Sequence, residues 1–364
     1  MNSDLAARDQ TPASSRETVF PSESELLAAK AIGSFSDSNE TLVADAAQAM
    51  AERFLHQGCE YYQTGQFEAA LKAFQEAFLL YRDRQDEHGQ EKALSSLGLT
   101  HYSLRDYARA VKYSKQSLEV AQKLDDRHSL VKIFGNLGNA YRHLKEQAKA
   151  IECQQQSLTL AQELGDRRGE MAALNNLGLA YKALGDHLIA IGYEEQSLEI
   201  ARELRDDQIE EQILKNLGNA CYALGNYTKA VDYYEQRLVL AREVSDRRTE
   251  GQVLRNLGNA CYALGDYDRA IEYSKQWLSV SRETQDRRGE EQALGSVGVG
   301  YDALGNYARA IDYYEQRLAI AQRMKDHRIA EQVLGSLRVA YYALGDYAKA
   351  VNCTKQRETL IGTN

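Results

Sequence analysis

The stretch LGNACYALGNYTKAVDYYEQRL, Leu217 to Leu238, decides the fold, because it returns forty residues later as LGNACYALGDYDRAIEYSKQWL, Leu257 to Leu278. Another step of forty gives VGVGYDALGNYARAIDYYEQRL, Val297 to Leu318, and weaker copies run back towards residue 50. A fixed period of this length marks one supersecondary unit stacked on copies of itself. No unit is large enough to bury its apolar face alone, so the units must cover one another in an extended solenoid. The question of function then becomes which surface the array presents.

Residues 168 to 207 show how one unit is written. Leu174, Leu177, Gly178, Tyr181 and Leu184 recur at spacings of three and four, the stripe of a helix buried along one side. Gly185 supplies a left-handed residue to end that helix, and Asp186 can cap the next. The second helix buries Ala190, Ile191, Leu198, Ala201 and Leu204, and the short junction Arg205-Asp206-Asp207 sets neighbouring helices antiparallel. Gly98, Gly138, Gly178, Gly218, Gly258 and Gly298 stand mid-helix, where Gly costs about 1 kcal/mol relative to Ala. That cost recurs only where another helix crosses too closely for a side chain. Ala70, Ala110, Ala150, Ala190, Ala230, Ala270, Ala310 and Ala350 mark the matching approach on the second helix.

Leu-Gly, an aromatic residue three positions after the Gly, then Gly-Asp-Tyr and a recurring Ala together resemble the tetratricopeptide repeat (TPR). The usual unit of that family is 34 residues and often closes on Pro, whereas this one is 40 and lacks it. In this the chain is similar to the arrays of the LGN/Pins cell-polarity adaptors and of kinesin light chain. The resemblance covers about residues 48 to 360 in eight units. It implies an all-α fold, a right-handed superhelical solenoid of about eight antiparallel helix pairs, with extended or helical peptides held along the concave face made by the first helices.

Departures gather at the ends, as capping of a solenoid requires. Gln57 replaces the apolar residue before Gly58, Arg338 replaces the mid-helix Gly of the last unit, and Glu358 stands where Leu318 and its equivalents stood. The domain reading is therefore a disordered, Ser- and acid-rich tail over residues 1–44 and a repeat array over 45–364 with polar terminal caps. Within the tail, Glu25 to Ile32 is one short amphipathic stretch.

The chain has 364 residues, 53 acidic against 44 basic, for a net charge of −9. That balance argues against general affinity for nucleic acid or anionic membrane. No apolar run approaches the roughly 18 residues needed to span a bilayer, and the start MNSDLAARDQ lacks a secretory pattern. A cytoplasmic protein is expected. Five cysteines without CxxC or Cys/His metal spacing fit a reducing compartment. Cys221 and Cys261 replace Tyr141, Tyr181 and Tyr301 at equivalent places and read as core.

Projected onto the first-helix face, the positions flanking each Leu-Gly pair give a chemical profile. The second unit contributes Lys92, the third Lys132, Asn136, Asn139 and Arg142, and the fourth Asn175, Asn176 and Lys182. The fifth contributes Gln212, Lys215, Asn216, Asn219 and Tyr222, and the sixth Gln252, Arg255, Asn256, Asn259 and Tyr262. No Asp or Glu appears among them, so a basic strip runs through an acidic protein. The acids are displaced to the second helix, as in Glu194-Glu195 and Asp232, and Asp302 should end the strip in the seventh unit. Such a groove focuses negative partners, and Asn amides can pair with a peptide backbone. A solvated face without a ligand is the competing reading of the same cations. Trp277, where other units hold Ser117, Ser157, Ser197 or Arg237, reads as packing against a neighbour.

Catalysis finds no support: the seven histidines are scattered, and no HExxH or phosphate-binding Gly motif occurs. No cofactor or metal is expected. The leading expectation is a non-enzymatic adaptor holding an acidic peptide or tail of another protein in the concave groove. The alternatives are a peptide-responsive regulatory sensor of the same repeat class, or an LGN-like polarity adaptor lacking the GoLoco motifs that bind Gα subunits.

Overall fold

A computed structural model describes residues 37–362 as helices joined by short turns. The expectations for residues 1–36 lie outside the described residues. The first helix begins at Asp37, which moves the array's start eight residues into the stretch read as disordered. The chain divides into two compact units at Arg127/His128.

The first unit holds α1 (Asp37–Gln63), α2 (Phe67–Asp83), α3 (Glu87–Ser103) and α4 (Tyr107–Lys123). Its core joins Ala70, Leu71, Phe74 and Leu97 on one side and Ala51, Ala77, Tyr81 and Ala93 on the other. The second unit begins with α5 (Arg127–His143), α6 (Gln147–Leu164), α7 (Arg167–Leu184) and α8 (His187–Leu204). It continues with α9 (Asp207–Ala223), α10 (Tyr227–Glu243), α11 (Arg247–Leu264) and α12 (Tyr267–Glu283), and ends with α13 (Arg287–Ala303), α14 (Tyr307–Arg323), α15 (His327–Ala343) and α16 (Tyr347–Gly362). Odd-numbered helices are the first of each pair and even-numbered ones the second. A core running from Met171 to Ile320 binds successive pairs, and a second surrounds Val297, Tyr314, Val333 and Leu337.

The mid-helix glycines sit where packing requires them. A Cβ on Gly178 would lie 2.6 Å from Glu194 Cγ and 3.2 Å from the Ala190 carbonyl, and one on Gly218 would lie 2.4 Å from the Tyr234 ring. On Gly98, Gly138, Gly258 and Gly298 it would meet Ser114, Gln154, Ser274 and Tyr314. In each pair the glycine therefore opens a notch, and the residue sixteen positions later fills it. The matching alanines from Ala110 to Ala310 are almost wholly buried.

The turns are set by acid caps and left-handed residues. Asp86, Asp166, Asp246 and Asp326 accept the backbone N–H three residues on, at 2.9 to 3.0 Å. Gly185 closes α7 at φ 92° as expected, but Asp186 makes no capping bond. The second-to-first turns at Arg205, Ser245, Gln285 and Lys325 use the left-handed region without a glycine, whereas Gly165 supplies it after α6. A ladder of ion pairs joins successive pairs: Arg202 donates to Glu210 at 2.8 Å and Gln236 at 2.6 Å, and Arg242 donates to Glu250 and Gln276, both at 2.8 Å. Arg282 repeats the arrangement with Glu290 and Gln316.

Most of the predicted core is buried, including Leu174, Leu177, Ile191 and Leu198. Leu184 is an exception, half exposed because the helix is already turning away at that point. Cys221 and Cys261 are fully buried free thiols, and burial pushes the pKa of both up to about 11. Among the described residues no helix is long and apolar enough to cross a membrane, and no cluster of His, Cys, Asp or Glu is arranged to hold a metal.

Candidate functional site

The residues proposed for the basic strip all lie on first helices, where the helical period leaves them exposed or half-buried. Lys92 on α3, Lys132 on α5, Gln212 and Lys215 on α9, and Gln252, Arg255 and Asn259 on α11 are exposed. Asn136, Asn139, Arg142, Asn175, Asn176, Lys182, Asn216, Asn219 and Asn256 are half-buried. Several are partly engaged by the protein itself. Asn219 accepts a 2.8 Å bond from Tyr234 Oη, and Tyr222 and Tyr262 pack against Tyr227 and Tyr267 with ring centroids 5.3 Å apart. Asn175 Oδ1 and Asn216 Nδ2 are buried with no protein partner.

Four members of the strip come together. Gln252 and Arg255 line a cavity of about 570 Å³ between α11 and α13, floored by α12. Arg255, Asn259 and Tyr262 line a second, of about 360 Å³, which continues from the first and shares Arg255, Trp277 and Gln292 with it. The other strip residues line neither.

The opening has a local cause. In the flanking repeats, two sockets between the paired helices are plugged. Tyr234 and Tyr314 fill the notches at Gly218 and Gly298. Arg237 and Arg317 donate to Glu211 and Glu291, each at 2.6 Å. In the sixth repeat Ser274 takes the place of the tyrosine, and Trp277 faces Gly251 where those repeats have an Arg–Glu pair. A Cβ on Gly251 would meet only Val280 and Trp277, at 3.6 to 3.8 Å. Gly295 opposite removes a further side chain from the wall. Trp277 is buried, as its reading as packing requires, yet the indole also lines both cavities.

The lining is cationic beyond what the strip predicted. Arg247, Arg248, Arg255 and Arg288 border the larger cavity, and Arg317 borders the smaller. Arg247 is held by Glu250, and Arg317 by Glu291. Arg248, Arg255 and Arg288 offer side chains that make no ion pair or side-chain hydrogen bond among the described residues. The one acid in the lining, Asp286, is occupied in capping α13 through the N–H groups of Arg288 and Gly289. Arg288 carries the basic lining onto the seventh repeat, at the opposite end of α13 from Asp302. Sequence reading missed Arg248, Arg288 and Gln292. The usable signal was an arginine at residues 168, 248, 288 and 328, with glycine at 251 where other units have Glu, Val or Met.

One repeat earlier, the equivalent cavity, about 380 Å³, is lined by Asp207, Gln208, Glu211 and Asp246. Cationic lining is thus a property of this site and not of the repeat in general.

Glu194 corrects another expectation. Read as an outer-face acid, it is completely buried in the Gly178 notch, and neither carboxylate oxygen has a partner. Burial pushes its carboxyl up to about 7, against a small opposing pull from Lys182. Glu195 beside it is the outward one, accepting from Tyr233 Oη at 2.6 Å and Lys229 at 3.4 Å.

Tetratricopeptide repeat profiles match residues 129–203, 209–283 and 250–323, with others of the same description at 92–124 and 51–84. The chain belongs to the tetratricopeptide repeat family. The family supports a protein-interaction role, as scaffold or sensor, and the 40-residue unit is a long variant of the TPR helix pair. No curated protein matches the sequence. Among solved structures, a STAND signal-transduction ATPase with a tetratricopeptide repeat sensor, from Pyrococcus horikoshii, shares 18% identity and a TM-score of 0.57. The alignment covers 92% of this chain, which spans 51% of that one. BtubC (BKLC) from P. vanneervenii aligns over 66% of this chain and 92% of its own, at 21% identity and TM-score 0.51. RapI in its apo form aligns over 76% of this chain and all of its own, at 12% identity and TM-score 0.50. At these identities the likeness is one of fold.

Proposed function

We propose that this TPR array is a non-enzymatic adaptor that holds an acidic segment of a partner protein along its first helices. One observation carries the reading. In a chain of net charge −9, the exposed first-helix face presents Lys215 and Arg255 at equivalent positions of adjacent repeats, neither engaged by an ion pair or side-chain hydrogen bond among the described residues. Burial elsewhere pairs arginines with acids, so unpaired cations on one face are free to meet a partner's carboxylates through charge-assisted bonds. Asn259, exposed beside Arg255 on the same face, supplies an amide suited to a peptide backbone.

The experiment is quantitative affinity capture with the wild-type array beside Lys215→Glu/Arg255→Glu, across a salt series. A partner held by this face is lost at least tenfold in the double variant and weakens with salt, because an exposed face is screened. A partner captured equally by both proteins, and indifferent to salt, would sink the acidic-segment reading. A sensor role, the one for which the repeats of the Pyrococcus protein are named, is favoured over a passive scaffold only if the captured segment also changes the array's conformation.

A further inference from the structure

We propose that the Trp277 cavity is the anchor pocket of this array. Its ligand is an acidic peptide in which two carboxylates, three residues apart, flank apolar side chains. The proposal rests on the acidic-segment reading and gives it a place, a register and a second chemical requirement.

The floor sets the apolar requirement. Trp277 is the chain's single tryptophan, and it lines both cavities because Gly251 and Ser274 leave its surroundings unfilled. An indole at the base of a cleft is a favoured surface for an aromatic or large aliphatic side chain, and apolar burial there adds affinity that rim charges alone do not supply.

The rim sets the acid spacing. Arg248 and Arg255 lie seven residues apart on α11, which is about 10 Å along the helix axis. A peptide in the polyproline II conformation advances about 3.1 Å per residue with about three residues per turn, so two carboxylates three residues apart share a face and meet both ends. The two residues between them lie over Trp277. Arg288, one repeat on from Arg248, borders the same end of the cavity and can share the first carboxylate. Gln252 and Gln292 face the cleft from either wall and offer amides to the peptide backbone.

The neighbouring repeat fixes the register. Displaced by forty residues, the same peptide would meet Asp207, Gln208 and Glu211 where this cavity has Arg247, Arg248 and Gly251. Like charges across an interface reject a ligand as firmly as opposite charges accept one.

Because Trp277 is unique, its emission reports directly on this pocket. The probe is a fluorescein-labelled peptide, Gly-Ser-Glu-Phe-Leu-Glu-Ser-Gly, followed by polarization, with the unlabelled peptide used for Trp277 emission and acrylamide quenching. Expected is binding that shields Trp277, weakened at least tenfold by Arg248→Glu/Arg288→Glu and by replacing Phe-Leu with Ser-Ser. Gly251→Glu restores the residue found in the flanking repeats and should close the pocket while leaving the melt intact. Arg323→Glu/Lys325→Glu, an equal charge change on exposed residues outside the cleft, should leave affinity within twofold.

Binding that is lost in Lys215→Glu/Arg255→Glu, unaffected by Arg248→Glu/Arg288→Glu and silent at Trp277 would overturn the pocket and leave the acidic face standing. Inorganic phosphate reproducing the Trp277 change as effectively as the peptide would overturn the peptide occupant in favour of a small-anion site. Failure of the wild-type protein to bind the probe at millimolar concentration would also overturn the pocket. The wider reading falls only if capture by Lys215→Glu/Arg255→Glu is undiminished.

Discussion

The fifth and sixth repeats carry nearly the same sequence, yet the fifth keeps its two sockets plugged beside a smaller acidic cavity and the sixth leaves both open. Leu217–Leu238 and Leu257–Leu278 share the glycine notch, the tight alanine, the buried cysteine and the acidic or amide cap. They part at two sockets. Tyr234 against Ser274 decides whether the notch is filled, and Arg237 with Glu211 against Trp277 with Gly251 decides whether the wall beside it is plugged. The seventh repeat returns to the sealed form with Tyr314 and the Arg317–Glu291 pair. An array can thus hold its backbone constant and place a cleft by changing a few socket residues, since the shared positions carry the fold.

The strongest way to break this comparison is to empty the sealed notch. Tyr234→Ala removes a ring that is 2% exposed and donates to Asn219, and truncating a buried aromatic costs about 3–5 kcal/mol. Ser274→Ala at the equivalent place removes one hydroxyl beside an existing cavity and should cost under about 1 kcal/mol, near the bottom of the range for small core changes. Denaturant melts of the two variants decide it. Equal losses would show that the sixth notch is as tightly packed as the fifth.

A third kind of filling extends the comparison to the fourth repeat, where Glu194 occupies the notch. Its folded value of about 7 lies above the ordinary 4.5, because burial disfavours the charged form. The fold is therefore favoured by the proton. Stability from this group is full below about pH 4.5, falls as pH rises towards 7, and is flat above that. The span corresponds to roughly 3 kcal/mol by linkage. Glu194→Gln removes the ionisation, so it should match wild type near pH 4.5 and exceed it at about pH 8. A wild-type-to-variant difference that does not change between those pH values would mean the carboxylate finds solvent.

These sockets also explain how far the sequence could be read. The forty-residue period, the glycines, the alanines and the caps recur at fixed places, so fold and pairing were legible from Leu217–Leu238 alone. Socket residues carry no period: the notch holds Ser114, Gln154, Glu194, Tyr234, Ser274 and Tyr314 in turn. What each one does depends on a partner sixteen residues back or, for the wall, twenty-six, as in Arg237 with Glu211. Antiparallel packing makes those separations adjacent, but no local pattern shows it. For that reason Glu194 read as an outer acid, Trp277 as packing before ligand contact, and the strip as uniform where the structure gathers Gln252, Arg255, Asn259 and Tyr262 at one opening.

A smaller effect sharpens the same contrast. Ala230 is fully buried under the sealed notch, whereas Ala270 borders the smaller cavity. Ala230→Leu should lose about 1–3 kcal/mol from overpacking, and Ala270→Leu should lose less because its side chain has room to enter. The latter should also weaken binding of the Glu-Phe-Leu-Glu probe by filling the cleft. Equal thermal shifts for the two variants would mean the cavity collapses in solution.

The smallest effect tests whether the two repeats differ only at their sockets. Ser245 ends the fifth repeat and Gln285 the sixth, each in the left-handed region with φ of 56°. A side chain there costs about 1–2 kcal/mol against the right-handed region, and glycine avoids it while adding unfolded-state freedom that offsets part of the gain. Ser245→Gly and Gln285→Gly should each stabilise by about 0.5–1 kcal/mol, and by the same amount, because their turns share one geometry. Denaturation midpoints of the two variants should move together. A markedly larger gain at Gln285 would locate backbone strain in the open repeat, and the cleft would then owe its shape to the turn as well as to Ser274, Trp277 and Gly251.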